Sequence, residues 1–127
     1  MKAIILAVAA LMAVPAMAQP AKSCFYMRDF QNWKAPDGKT LYIRVNSNNF
    51  YRLDLVADCS MLRQPGIHLI TKTRGSDNVC DALDWDLSVS DSTGFNRMGG
   101  ARQACIVKKM TALSDADVAA IQPKFKP

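Results

Sequence analysis

The chain has 127 residues, of which half are hydrophobic, and its 16 Lys and Arg against 11 acidic residues give a formal net charge of +5. This length is enough for the core of a single domain, and no second domain is expected. The cations are spread along the chain without a basic run. The charge therefore favours solubility and does not indicate nucleic-acid binding.

The first eighteen residues have the three parts of a secretory signal peptide. Lys2 precedes an unbroken apolar run over residues 3–14, and the small residues Ala16 and Ala18 follow it. A transmembrane anchor is the alternative, but spanning a bilayer takes roughly 20 apolar residues, more than this run contains. We therefore expect cleavage after Ala18, no membrane anchor, and one mature domain over residues 19–127 in the periplasm or outside the cell.

The four cysteines all lie in the mature chain, which is sent to an oxidising compartment. They are Cys24, Cys59, Cys80 and Cys105. Zinc is the rival explanation, but zinc ligands pair at short spacings, whereas 34, 20 and 24 residues separate these cysteines. Two disulfides are therefore expected. Three connectivities are possible, and we favour Cys59 with Cys80 and Cys24 with Cys105, because Cys24 and Cys105 both begin predicted strands that the bridge would join.

The clearest structural pattern is a β-hairpin from Thr40 to Val56. Hydrophobic and polar residues alternate on both sides of the turn-forming residues 47–49. A three-residue loop there keeps the apolar residues of both strands on one face, with Val45 opposite Tyr51.

The same register makes the outer face of the hairpin a candidate binding site. It places Arg44 opposite Arg52 and Tyr42 opposite Asp54, and two like charges facing each other cost a fraction of a kcal/mol. Tyr42, Arg44 and Arg52 could form an anion site with an aromatic side. In the alternative, each Arg turns towards Asp54 or into water.

The remaining elements are short. Strands are predicted at residues 24–28, 67–71, 85–89 and 104–110, a mobile loop from Asp91 to Gln103, and a helical turn or bend at Phe30 and Trp33. A helix is predicted after Ser114, with Asp117 completing a capping box, and it should end at Pro123.

This pattern predicts a mainly β fold, either a small disulfide-stapled β-sandwich or a partly open β-barrel, with a short C-terminal helix.

Several stretches of the chain resemble a known family. They are Cys24-Phe25 followed by Trp33, the Tyr-Arg-Leu-Asp-Leu strand before Cys59, the hydrophobic strand before Cys80, and Cys105-Ile106-Val107 followed by Leu113. The chain is similar to small, exported four-cysteine bacterial proteins classed as a domain of unknown function. The resemblance covers nearly the whole mature chain. It implies a periplasmic or secreted β-rich domain of a Gram-negative bacterium, and it brings no active site with it.

Candidate catalytic groups are few. The chain has no Glu and a single His, His68, which should point outward from its strand and serve a structural or solvent role. No Gly-x-Ser-x-Gly nucleophile motif occurs, and paired cysteines provide no thiol nucleophile. Asp81, Asp84, Asp86 and Asp91 form an acidic cluster, but their spacing does not fit an EF-hand. We expect solvated aspartates, no metal or cofactor, and no enzyme.

The leading functional hypothesis is a monomeric, non-catalytic binding or envelope-interaction module with an envelope or extracellular partner that is not nucleic acid. A second hypothesis is an inhibitor of an extracellular hydrolase that presents the Asp91 to Gln103 loop. A third is a small hydrolase that uses Asp84 or His68.

The predicted export can be tested on the protein recovered from a periplasmic fraction. Its N-terminal residue should be Gln19, because the peptidase accepts small residues such as Ala16 and Ala18 at the two positions it reads. Ala18→Arg should leave the precursor uncleaved in the membrane. Recovery of intact Met1 in soluble cytosolic protein would contradict the prediction.

Overall fold

The computed structural model describes residues 24–91 and 101–127, so the predicted signal peptide and residues 92–100 of the predicted loop lie outside it. The strands are β1 (Phe25–Tyr26), β2 (Phe30–Lys34), β3 (Thr40–Val45), β4 (Asn49–Leu55), β5 (His68–Thr73), β6 (Asn78–Val79), β7 (Trp85–Ser90), β8 (Arg102–Ala104) and β9 (Val107–Ala112). One α-helix, α1 (Asp115–Ala120), follows. Single turns of 3-10 helix lie at Met27–Asp29, Ser60–Arg63, Ala82–Asp84 and Pro123–Phe125.

The strands form three antiparallel sheets. Their orders are β2-β3-β4-β9, β5-β7-β8 and the two-stranded ribbon β1-β6. Over the described residues, the sheets do not close into a barrel. The predicted mainly β fold with two disulfides and a short C-terminal helix is therefore confirmed.

One hydrophobic core joins the three sheets. Leu41, Ile43 and Val45 of β3 are fully buried, as the alternation of apolar and polar residues predicts. Leu53 and Val89 belong to the same cluster from β4 and β7. Hydrophobic burial at these alternating positions orients each sheet with its polar side chains outward.

The hairpin of β3 and β4 forms, but its predicted register is wrong by two residues. Ile43 lies opposite Tyr51 and Val45 opposite Asn49. The chain turns earlier than expected because Asn46 takes a left-handed conformation with φ of 55°, which asparagine tolerates better than most residues. A slip of two residues preserves which side chains share a face, so the predicted inner and outer faces are correct.

Phe30 and Trp33 lie on strand β2, which corrects the predicted helical turn or bend. Their spacing of three would normally put them on opposite faces of a strand. A bulge between Phe30 and Asn32 adds one residue to the ladder with β3. Both rings consequently pack against the core.

The predicted disulfide pairing is also wrong. Cys24 bonds to Cys80, and Cys59 bonds to Cys105. The ladder of β1 with β6 places Phe25 opposite Val79, so the next pair along it is Cys24 and Cys80. The expected bridge from Cys24 to Cys105 does not form, because β1 pairs with β6 rather than with the strand after Cys105.

The predicted strand from Ala104 to Met110 is divided between two sheets. Cys105 donates its N–H to the carbonyl of Leu87 at 2.9 Å, whereas Ile106 accepts at 2.9 Å from the N–H of Val56. The chain thus leaves the β5-β7-β8 sheet at Cys105 and continues beside β4 as β9.

The C-terminal helix begins as predicted. The Asp117 N–H donates to Ser114 Oγ at 3.2 Å, and the Ser114 N–H donates to the Asp117 carboxylate at 3.0 Å. These bonds from Ser114 hold the pKa of Asp117 below its usual range. The helix ends at Ala120, ahead of Pro123, and Ile121 is buried against the rest of the protein.

The two disulfides should differ in their resistance to reductant. Cys24 is exposed, whereas Cys59 and Cys105 are both buried, and thiol exchange requires access to a sulfur. Stepwise reduction with alkylation and peptide mapping should label Cys24 and Cys80 first. Earlier labelling of Cys59 and Cys105 in the folded protein would contradict this order.

Candidate functional site

A concave site of about 620 Å³ lies on the outer face of the β5-β7-β8 sheet, and we call it the sheet groove. It exists because alternate residues of β7 point to opposite faces. Asp86 and Ser88 line the groove from the outer face and Val89 lies in the core, while the core residues Trp85 and Leu87 also border the groove. Its volume falls within the range of about 300 to 1,000 Å³ that is usual for small-molecule sites.

Part of the wall of the sheet groove is aliphatic. Ile70 of β5 and Ala104 of β8 line the groove, and so do Leu83 and Ile106, which lie outside these strands. Leu83 is 73% exposed and Ile106 is 68% exposed. Two large aliphatic side chains so open to water beside one cavity mark a surface suited to an apolar ligand.

The same groove carries an excess of positive charge. Three cations, Lys72, Arg74 and Arg102, face one carboxylate, Asp86. The Arg74 guanidinium donates two hydrogen bonds to the carboxylate of Asp86, one from Nε and one from Nη2. This pair lowers the pKa of Asp86 and raises that of Arg74, in each case chiefly through the hydrogen bonds between them. Lys72 and Arg102 remain available to a negatively charged ligand.

Arg102 is held in position by a buried hydroxyl. Its Nε donates to Ser88 Oγ at 3.1 Å, and Ser88 is only 8% exposed. The outer nitrogens of the guanidinium make no hydrogen bond or ion pair to another described residue. A guanidinium fixed through Nε presents its free N–H groups in a geometry that suits a carboxylate or phosphate.

The hairpin residues predicted to bind an anion are only partly brought together. Tyr42 lies opposite Arg52, and Arg44 lies opposite Phe50. The predicted opposition of Arg44 and Arg52 is therefore wrong, because the hairpin turns one residue earlier and its register shifts by two. Arg52 Nε instead donates to the carboxylate of Asp54 at 2.9 Å, which is the alternative the sequence left open.

A second cavity, which we call the hairpin groove, has a volume of about 560 Å³ and includes Tyr42 and Arg52. It lies where the C-terminal segment meets the outer face of the β2-β3-β4-β9 sheet. Its two cations, Arg52 and Lys109, face two carboxylates, Asp54 and Asp117. The hairpin groove is thus neutral in balance and fits an anion less well than the sheet groove.

Arg44 lies apart from both sites. Its Nε is buried and has no hydrogen-bond partner among the described residues. Because this nitrogen has no contact with solvent, a ligand in solution does not reach it in the observed conformation. Arg44 therefore remains a predicted binding residue that lines neither groove.

The candidate acidic residues divide by role. The carboxylate of Asp84 accepts from the N–H groups of Cys80 and Asp81 at 2.8 Å, which completes the capping box of the 3-10 turn at Ala82–Asp84. Asp86 is paired with Arg74.

His68 is exposed, opposite Ser90 on the neighbouring strand. Within residues 24–91 and 101–127, no three His, Cys or Asp side chains are grouped as metal ligands.

No family model, curated protein or solved structure matches the chain. The site is therefore defined by its own geometry. Two disulfides indicate an oxidising compartment, and within the described ranges no helix has the length and apolar character needed to cross a membrane.

The sheet groove was missed from the sequence because its parts come from separate segments. Arg102 falls in the predicted loop and Ile106 in a predicted strand, while Leu83 lies between two aspartates. The one available signal was the row of Arg102, Ala104 and Ile106, which alternates with Gln103 and Cys105 and so shares a face.

The Arg74–Asp86 pair predicts a pH effect. Because the folded pKa of Asp86 lies below its unfolded value, the pair stabilises the fold above the unfolded pKa, and this contribution disappears as the pH falls through the folded pKa. Arg74→Gln should raise the Asp86 midpoint towards the ordinary range in a carboxyl-carbon NMR titration. Lys124→Gln, outside the groove, should leave it unchanged. An unaltered midpoint in Arg74→Gln would show that the pair does not form in solution.

Proposed function

We propose that this protein is an exported, non-catalytic binding domain, and that the sheet groove is its ligand-binding surface. The ligand carries a negative charge and an apolar portion. The observation that carries this proposal is a guanidinium, Arg102, fixed by buried Ser88 beside the exposed aliphatic side chains of Leu83 and Ile106. A few placed polar groups in a largely apolar concavity are the usual composition of a ligand site.

The proposed location is the periplasm or the outside of the cell. The charged, apolar and small-residue parts of residues 1–18 favour export. The two disulfides agree with this compartment, because the cytosol keeps most thiols reduced. The ligand or partner would then be a component of the envelope or of the extracellular medium.

Binding is favoured over hydrolysis by the state of the candidate carboxylates. Asp84 accepts two backbone N–H groups, and Asp86 is bound to Arg74. The pair with Arg74 lowers the pKa of Asp86, whereas a general acid at neutral pH needs a raised pKa, and the carboxylate of Asp84 is engaged by the two N–H groups. The proposed site therefore uses cations and aliphatic surface rather than an acid and a base.

The first test uses anilinonaphthalene sulfonate, an anionic and apolar dye that fluoresces when it leaves water. The mature protein should bind it saturably. Arg102→Gln should weaken binding at least ten-fold, since a hydrogen bond to a charged group is worth roughly 1.5 to 3 kcal/mol and about 1.4 kcal/mol is a factor of ten. Ile106→Asn should weaken it as well, by removing apolar contact.

Two matched variants outside the groove serve as controls. Arg63→Gln removes an exposed Arg that pairs with Asp58, and Tyr26→Asn removes an exposed apolar side chain. Both should bind the dye as the parent protein does. Equal binding by the parent, Arg102→Gln and Ile106→Asn would refute the proposal. A loss confined to Arg52→Gln would move the site to the hairpin groove.

A further inference from the structure

We infer that the sheet groove takes an amphiphile with a single alkyl chain and an oxyanion head group. In this arrangement the head group lies on Arg102, and the chain lies against Ile106 and Leu83. The inference rests on the proposed function and names the ligand class for the same site. Its support is the separation of one fixed cation from a continuous aliphatic wall.

The head group is assigned by the donors of Arg102. Ser88 Oγ occupies Nε of the guanidinium, so the two outer nitrogens are directed away from that bond. A carboxylate or a phosphate monoester has oxygens spaced to accept from both nitrogens at once. Lys72, which lies opposite Asp86 on the neighbouring strand, adds attraction for an anion without fixing its orientation.

The chain is assigned by the order of side chains on the groove face. Arg102 lies opposite Ser90, and Ala104 lies opposite Ser88. Two residues of a strand advance by roughly 6.6 Å, so Ala104 follows Arg102 at about that distance on the same face. Ile106 comes two residues later and also lines the groove. A ligand anchored at Arg102 therefore meets only aliphatic carbon along this row.

The nature of the wall argues against ring-shaped ligands. Trp85 is the sole aromatic residue that lines the groove within the described chain, and it is 2% exposed. Its ring packs edge-on against Phe25, with centroids 6.0 Å apart. Nucleotides gain affinity by stacking on open aromatic faces, and the groove offers none. Aliphatic side chains instead match a flexible alkyl chain, whose burial contributes about 0.8 kcal/mol for each methylene.

An extended peptide fits the groove less well for a different reason. The floor of the groove is strand β7, whose backbone pairs with β5 along its length and with β8 at Ser88–Ser90. A peptide lying across this face would leave its own N–H and C=O groups without partners, at a cost in free energy. An alkyl chain has no such groups to satisfy.

The test separates head-group charge from chain length. Dodecanoate, dodecyl phosphate, dodecyltrimethylammonium and butanoate would each be titrated by calorimetry into the mature protein, below micelle-forming concentrations. We expect the two anionic dodecyl compounds to bind, and the cationic one to bind at least ten-fold more weakly. Butanoate should show no binding, because it lacks the chain. The ratio between dodecanoate and dodecyl phosphate then distinguishes a carboxylate from a phosphate head group.

Variants assign these effects to the groove. Arg102→Gln should bring the affinities for dodecanoate and dodecyltrimethylammonium within a few-fold of each other, because the selecting charge is gone. Ile106→Asn should reduce the affinity for both chains while keeping the preference for the anion. Arg63→Gln should behave as the parent protein. Circular dichroism of each variant, measured alongside, should match the parent spectrum.

The outcomes distinguish this inference from the proposed function. If the dye binds at the groove and neither anionic dodecyl compound displaces it, the inference is wrong and the proposed function stands. If neither the dye nor the amphiphiles bind, both are wrong. Equal affinity for anionic and cationic dodecyl compounds in the parent protein would also overturn the inference, since Arg102 would then select nothing.

Discussion

The chain passes from the β5-β7-β8 sheet to the β2-β3-β4-β9 sheet within two residues, and the buried disulfide from Cys59 to Cys105 holds this passage. The Cys105 N–H extends one sheet, and the Ile106 carbonyl extends the other. Neither sheet alone covers both of its faces, so their connection lets the apolar faces share one core. The rest of the fold depends on this link, including the sheet groove, because the same crossing carries Ile106 to the groove wall.

The parts of the fold that follow from local chemistry were predictable. Alternation identified the inner faces of β3 and β4, and the Ser114–Asp117 capping box identified the start of α1. The hairpin register was not predictable to better than two residues, because slips of two conserve the faces and the left-handed turn at Asn46 decides among them. The strand character of Phe30 and Trp33 depends on a bulge, which spacing alone does not reveal.

The candidate site was less predictable, because it depends on contacts between distant segments. Arg102 and Ser88 are fourteen residues apart, and their hydrogen bond exists only in the observed register of β7 and β8. Cysteine pairing was similarly long-range. A mirror pattern was nevertheless present: Cys24 precedes Phe25, and Cys80 follows Val79. In an antiparallel ladder this arrangement sets cysteine beside cysteine and apolar residue beside apolar residue.

The two disulfides are interleaved, since Cys59 lies within the loop closed by Cys24 and Cys80, and Cys105 lies beyond it. The cysteines divide the chain between Cys24 and Cys105 into three intervals. If proteases cut once in any two of these intervals, every piece still remains joined through at least one bridge. Nested bridges, with Cys59 bonded to Cys80, would release the central piece when both outer intervals were cut. The observed topology therefore keeps a molecule cut in any two intervals as one covalent unit, so such cuts alone release no fragment.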